Sequence, residues 1–342
     1  MAEEFLRLSA HDRREALEVA AGQSTRPFHL LEKDVWVVWA LNVMFSAPFG
    51  EHLVFKGGTS LSKAFDAIRR FSEDVDLTYD IRALAGDLTG QGPHPIPSTR
   101  SQEKKWSKEI KERLTAWVGD QAFRTVEAAI RAERVPAKVS INPNDDHALL
   151  IEYEPLSEVA RYASPVVLLE FGGRATGEPC DPRQVHCDAA KALPNVIFPT
   201  ATPRVMRAER TFWEKATAIH VLCAGGRLRG GDRFSRHWYD LVQLDKKGYV
   251  ESALMDSSLA QAVAEHKSMF FAEKADGVAI DYFKAVNGGL RLLPEGELLA
   301  RLKEDYRKMS EDGLLLDAAE PFETLLDVCR QIAARANARG PG

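Results

Sequence analysis

The chain has 342 residues, 45% of them hydrophobic and 28% charged, with a formal net charge of −5. That length suffices for one large or two modest domains with real cores, and no apolar run reaches the roughly 18–20 residues that would cross a bilayer. The negative balance excludes a protein that is basic throughout, so a nucleic-acid partner has to be met by a local basic patch.

The first residues, MAEEFLRLSAHDRRE, are acidic and polar and show no signal-peptide pattern, which points to a cytoplasmic location. Residues 10–50 read as two helices. The second is rich in Trp, Val and Leu (Val35–Phe45) with Glu32, Lys33 and Asp34 at its start, and reads as a buried helix and not a membrane span. From Leu53 to Leu77 the pattern is strand, turn, helix, strand. Leu53–Lys56 is a short apolar strand. Gly57 and Gly58 then let the backbone turn and approach a ligand without a Cβ in the way. Thr59 or Ser60 is expected to cap a helix carrying Leu61, Ala64, Phe65 and Ile68 at helical spacing. Hydroxyls and free N–H groups at such a turn suit a phosphate, although the GxxxxGK[ST] loop is absent.

Ser72–Asp80 alternates Val75, Leu77 and Tyr79 with Asp74, Asp76, Thr78 and Asp80, a period of two. Asp74 and Asp76 therefore share one strand face about 6–7 Å apart. Like charges so placed repel unless something compensates, and Mg²⁺ suits carboxylates combined with phosphate oxygens. The alternative is a solvated polar strand face.

Residues 83–100, with GQGPHPIP, read as a loop or insertion. Residues 101–133 read as helical. There Lys104, Lys105, Lys108 and Lys111 interleave with Glu109 and Glu112, so a solvated helix competes with an RNA-binding face. Ala137–Ile141, Leu149–Tyr153 and Pro165–Phe171 read as strands. Glu170 ends the last of them and is the preferred third carboxylate for a metal site, with Glu152 and Glu154 as competitors. Four cysteines show no CxxC pair, and Cys180 and Cys187 around His186 do not have ordinary zinc spacing.

Beyond Pro203 the pattern is helical to the end. A helix from about Val205 to Cys223 sets Arg207, Thr211 and Lys215 on one row, with Lys215 bordering the apolar face. Its ammonium points either inward to a triphosphate or outward to solvent or a glutamate such as Glu209 or Glu214. A glycine- and arginine-rich segment follows (Ala224–Arg236), then a helix opening with RHWYDL. There Asp240 is placed to hold Arg236 or Lys215, or to serve a metal directly. The organisation reads as N-terminal helices over 1–50, a mixed-sheet core over 51–200, and a helical region over 201–342 that completes the active site.

These residues together resemble the AbiEii/AbiGii toxin family of nucleotidyltransferases, with its mycobacterial MenT relatives. The resemblance is carried by EKD at 32–34, FKGGTSLSKAF at 55–65, RFSEDVDL at 70–77 and LLEFGGR at 168–174. It continues through RTFWEKATAIH at 210–220, RHWYDL at 236–241, HKSMFF at 266–271 and Asp305-Tyr306 with Met309. It implies an α+β fold with a DNA polymerase β-like nucleotidyltransferase core and a helical C-terminal region. It also implies a toxin working against a cognate antitoxin, often in abortive phage infection.

Under that resemblance Gly58, Thr59 and Ser60 form the nucleotide motif, Asp74 and Asp76 are the metal carboxylates, Lys215 is the family's lysine and Asp240 its later catalytic aspartate. The residues' own chemistry adds Gly57 and Arg207 to the nucleotide site, and Glu170 to the carboxylates that would hold Mg²⁺ or Mn²⁺. An NTP is the nucleotide donor, and a tRNA 3′ end or another RNA is the acceptor, which would block translation. A protein-modifying enzyme of the same fold and a non-catalytic nucleotide sensor are the competing readings.

Overall fold

A computed structural model describes residues 3–24, 26–72, 74–157, 164–226, 233–311 and 314–339. The fold is α+β, a mixed sheet with helices followed by a helical region, as expected. The chain divides into two compact units. One comprises residues 1–64, 71–92 and 108–206, and the other comprises residues 65–70, 93–107 and 207–342.

The first unit is built on a seven-stranded sheet. Its strands are β1 (Leu53–Lys56), β2 (Asp74–Tyr79), β3 (Ala137–Asn142), β4 (Asp145–Tyr153), β5 (Val166–Gly172), β6 (Cys180–Pro182) and β7 (Arg204–Met206). The spatial order is β3-β4-β5-β2-β1-β7-β6. β2 runs parallel to β5 and antiparallel to β1, and β1 runs parallel to β7. Leu53, Val54 and Phe55 are completely buried, which is why β1 reads as an unbroken apolar run and sits inside the sheet. Each such side chain contributes about 1.5–3 kcal/mol by leaving water.

The helix Phe28–Ser46 is buried nearly all round, Glu32, Lys33 and Asp34 included. Its charges are satisfied internally. Glu32 accepts from the Leu156 amide, Lys33 donates to the Ser164 carbonyl, and Asp34 pairs with Lys63. Burial pushes the Glu32 carboxyl up to about 7, against the Leu156 hydrogen bond and the Arg13 charge that lower it. Trp117, at the end of the helix Arg100–Trp117, packs on Tyr79, Phe49 and Phe171 with ring centroids 4.5, 5.1 and 5.3 Å away.

The second unit is mainly helical. Its principal helices are Ala208–Gly225, Arg236–Lys246, Ser257–Phe270, Gly296–Glu311 and Phe322–Ala338. Trp238 is fully buried and donates its indole N–H to the Leu292 carbonyl, and Trp213 donates to Ala253.

Four local expectations are corrected. The helix after the glycine pair begins at Gly57 itself and stops at Lys63. Ile68 is buried but not helical, and Asp66, three residues past the helix, takes a positive φ of 46°. Residues 83–100 are not one loop, because Ile81–Thr89 is helical, capped by Asp80 accepting from the Arg82 amide. Residues 204–206 form an interior strand beside β1, so the following helix starts at Ala208 and not at Val205. A two-stranded hairpin, Lys274–Ala275 with Val278–Ala279, interrupts the otherwise helical last third. Among the described residues no helix is long and apolar enough to cross a membrane.

Candidate active site

In the first unit, pairing of the strands sets Lys56, Asp76 and Glu170 side by side. Lys56 is the register partner of Asp76 across β1–β2, and Asp76 is the partner of Glu170 across β2–β5. Asp74, two residues along the same strand, faces the same way, opposite Leu168. Three carboxylates thus share one patch of a sheet whose opposite alternate positions, Val75, Leu77 and Leu169, are completely buried.

The electrostatics follow from that placement. Partial burial, then the charges of Asp76 and Asp74, push the Glu170 carboxyl up to about 7, and Lys56 offsets this in part. Glu152 lies two strands away from Asp76, pairs with Lys138 at 3.0 Å and is not part of the patch. Asp80 shares the strand's polar alternation but belongs to Arg82.

The glycine turn closes on the same patch. Gly57 has φ +78°, and a Cβ there would fall 1.9 Å from the Asp76 Oδ2. The carboxylate therefore occupies the space that glycine's missing side chain leaves. Gly58, Thr59 and Ser60 are buried. The expected capping role is corrected: Thr59 Oγ1 donates to the Asp74 carbonyl and Ser60 Oγ donates to the Gly57 carbonyl at 2.9 Å. Neither caps the helix. Thr59 fastens the turn to β2, and Ser60 ties the first turn of the helix to itself.

The donor set of the patch is all oxygen, which fits a hard divalent cation. Among the described residues, no group of three His, Cys, Asp or Glu side chains is arranged to hold a metal ion unaided. Mg²⁺ is ordinarily held by one or two carboxylates together with substrate phosphates. Near His186, Cys180 accepts from Arg204 and buried Cys187 donates to the Pro199 carbonyl.

The second unit holds a buried charged cluster. Asp240, with no solvent exposure, accepts from Arg70 Nε at 2.7 Å and Arg70 Nη2 at 2.8 Å, and pairs with Lys215 Nζ at 2.9 Å. Lys215 Nζ also lies 3.5 Å from the His237 Nδ1. Burial lowers the Lys215 ammonium from its usual range, and Arg70 and Arg236 add to this against Asp240. Burial alone would raise the Asp240 carboxyl, but Arg70 and Lys215 together hold it well below the usual carboxylate range.

Lys215 does not pair with Glu214, which Arg210 takes at 3.1 Å. Arg207 is exposed at the N-terminus of the Ala208–Gly225 helix, its carbonyl accepting from the Arg210 and Thr211 amides. Of the arginine-rich segment, Arg227 and Arg229 lie outside the described residues. Its end is fastened by Asp305, which accepts from the Arg233 and Ser235 amides. Arg70 escaped the sequence reading because nothing in its spacing links it to Asp240. Lys56 was legible in principle, being fixed opposite Asp76 once β1 and β2 pair.

No curated protein sequence matches the chain significantly. Among solved structures, MenT4, a nucleotidyltransferase toxin from Mycobacterium tuberculosis H37Rv, is 15% identical, with 98% of this chain and 100% of that chain covered and a TM-score of 0.39. The family model described as the nucleotidyl transferase AbiEii toxin of type IV toxin–antitoxin systems matches residues 39–328. The chain therefore belongs to the AbiEii family of nucleotidyltransferase toxins.

Proposed function

We propose that the protein transfers NMP from an NTP to the 3′ end of an RNA, with tRNA the favoured acceptor, and that this blocks translation. The observation that carries the reading is the Asp76–Glu170 register pair, with Asp74 alongside and Gly57 leaving room for the Asp76 carboxylate. Asp74, Asp76 and Glu170 would hold Mg²⁺ or Mn²⁺. When bound, the cation would neutralise the phosphate oxygens of the NTP.

The protein's own groups have separable tasks. The amides of the Gly57–Ser60 turn are assigned to the phosphates, and the Thr59 and Ser60 hydroxyls keep that turn fixed. Lys215, with Arg207, is assigned to the charge that grows on the departing pyrophosphate. The acceptor hydroxyl displaces pyrophosphate in line at the α-phosphorus. Asp240 holds Lys215 and is not a metal ligand in this reading, because both its oxygens are committed to cationic side chains. A cognate antitoxin is the expected protein partner, and a cytoplasmic location suits an RNA acceptor.

The test is incubation of purified protein with total tRNA, Mg²⁺ and each α-³²P-labelled NTP in turn, beside Asp76→Asn. Label on tRNA, reduced at least about 100-fold in the variant, supports the reading. Label on protein, or none with any NTP, overturns the tRNA assignment.

A further inference from the structure

We infer that Arg70 is a positioning residue for Lys215, acting through Asp240 as the rigid member of an Arg70–Asp240–Lys215 relay. The inference rests on the assignment of Lys215 to the nucleotide's phosphates and adds the residue that makes Lys215 fit for it.

The geometry carries it. A guanidinium is a planar fork whose two parallel N–H groups fix a carboxylate in orientation as well as in place, which an ammonium cannot do. Arg70 uses that fork on both Asp240 oxygens, at 2.7 and 2.8 Å. The Lys215 ammonium then meets the oriented Oδ2 at 2.9 Å. Lysine has a flexible stem and would otherwise explore several rotamers. Anchored to an oxygen that cannot rotate, it has one.

Arg70 is itself held by backbone. It forms an antiparallel bridge with Leu315, and the neighbouring Arg69 carbonyl accepts from the Leu316 amide. All three side chains of the relay are at least nine-tenths buried. The charge count matters as well. Among the described residues Arg70 and Lys215 share the one anion Asp240, Arg236 adds a third cation nearby, and burial and Lys215 hold His237 well below its usual range. Arg70 therefore leaves Lys215 only partly neutralised by Asp240, so the ammonium keeps attraction for an anion. With Arg70 absent, Asp240 would belong to Lys215 alone and cancel it.

The test measures the Kd of each NTP with Mg²⁺ from pH 6 to 10, without acceptor, for the wild type and for Arg70→Gln, Arg70→Lys and Asp240→Asn. Thermal melts accompany each variant. The groups facing Lys215 are Asp240, Arg70, Arg236 and His237, so the alkaline loss of NTP binding reports its proton. In Arg70→Gln a repelling cation is gone and Asp240 is left to Lys215. Binding at neutral pH should weaken at least about tenfold, and the alkaline limb should move to higher pH. In Asp240→Asn the counter-ion is gone and the limb should move to lower pH. Arg70→Lys keeps the charge and loses the fork, so its limb should stay while affinity falls.

Opposite movements of the limb in Arg70→Gln and Asp240→Asn establish the relay, since a general loss of packing would weaken binding without moving it. An unmoved limb in Arg70→Gln overturns the inference, as does wild-type affinity in Arg70→Lys, the decisive variant if Arg70→Gln does not fold. A wild type that binds no NTP overturns the phosphate reading of Lys215, and this inference with it.

Discussion

Asp76 and Glu170 are direct register partners on adjacent parallel strands, two carboxylates on one sheet face with Asp74 beside them. Neighbouring like charges on a sheet cost stability unless something compensates. Here the cost appears on Glu170, whose carboxyl is raised to about 7 by burial and by the two aspartates.

The first prediction concerns stability against pH. A carboxyl raised in the folded state binds its proton more tightly there than in the unfolded chain. It therefore favours folding in acid, and that advantage is lost as pH climbs from about 4.5 to about 7. The Tm of the metal-free protein should fall over that window relative to Glu170→Gln, the difference between the two curves isolating Glu170 from Glu32. Millimolar Mg²⁺ at pH 7 should raise the wild-type Tm, raise that of Glu170→Gln less, and leave Asp76→Asn unmoved. A wild-type Tm indifferent to Mg²⁺ at pH 7 would remove the case for a cation at this patch.

A second prediction separates backbone strain from loss of the site. Gly57→Ala meets two obstacles, a φ of +78° and a Cβ 1.9 Å from the Asp76 Oδ2. The left-handed conformation costs about 1–2 kcal/mol for a residue with a Cβ, and the clash must displace the Asp76 carboxylate. Gly248→Ala provides the control, with φ +83° and nothing within 4 Å of the added Cβ. Both variants should lose stability in urea titrations. Nucleotidyl transfer should collapse in Gly57→Ala and persist in Gly248→Ala, and equal activity in the two would show that the Gly57–Asp76 approach is unimportant.

What the sequence revealed follows from which signals are local. Period-two alternation put Asp74 and Asp76 on one face, and the apolar runs located β3, β4 and β5, because a strand's burial pattern is written in consecutive residues. Glu170 was reachable as the lone carboxylate in such a run. The short helix after Gly57 was overextended because Leu61, Ala64, Phe65 and Ile68 fit helical spacing. In the structure Phe65 to Arg70 belong to the other unit, a tertiary demand that spacing cannot show. Arg204–Met206 is three residues long and is a strand because β1 needs a neighbour, which periodicity cannot register in so short a span. Thr59 and Ser60 are natural cap candidates from the sequence because hydroxyls at a helix start so often cap. Their acceptors, the Asp74 and Gly57 carbonyls, are visible once the turn is folded against β2.

The last prediction concerns Lys63, the final residue of the helix Gly57–Lys63, whose own side chain is given no chemical role. Its ammonium is the cationic partner of Asp34 at 2.5 Å and of Asp188 at 2.8 Å, with Lys63 and Asp34 almost wholly buried. Asp188 has a second cation in Arg26, at 2.6 Å, and donates its amide to Asp34. Removing Lys63 therefore isolates Asp34 more than Asp188. Breaking a buried pair from one side leaves an uncompensated charge and costs about 3–5 kcal/mol. Lys63→Met should be destabilised by that order in urea unfolding at pH 7. The Asp34 carboxyl, already raised by burial, should rise further without Lys63, so the variant should recover stability as pH falls and Asp34 takes up a proton. Adding Asp34→Asn should restore part of the loss at pH 7 and flatten the acid recovery. A Lys63→Met protein as stable as the wild type at pH 7 would mean that water, and not Lys63, satisfies Asp34.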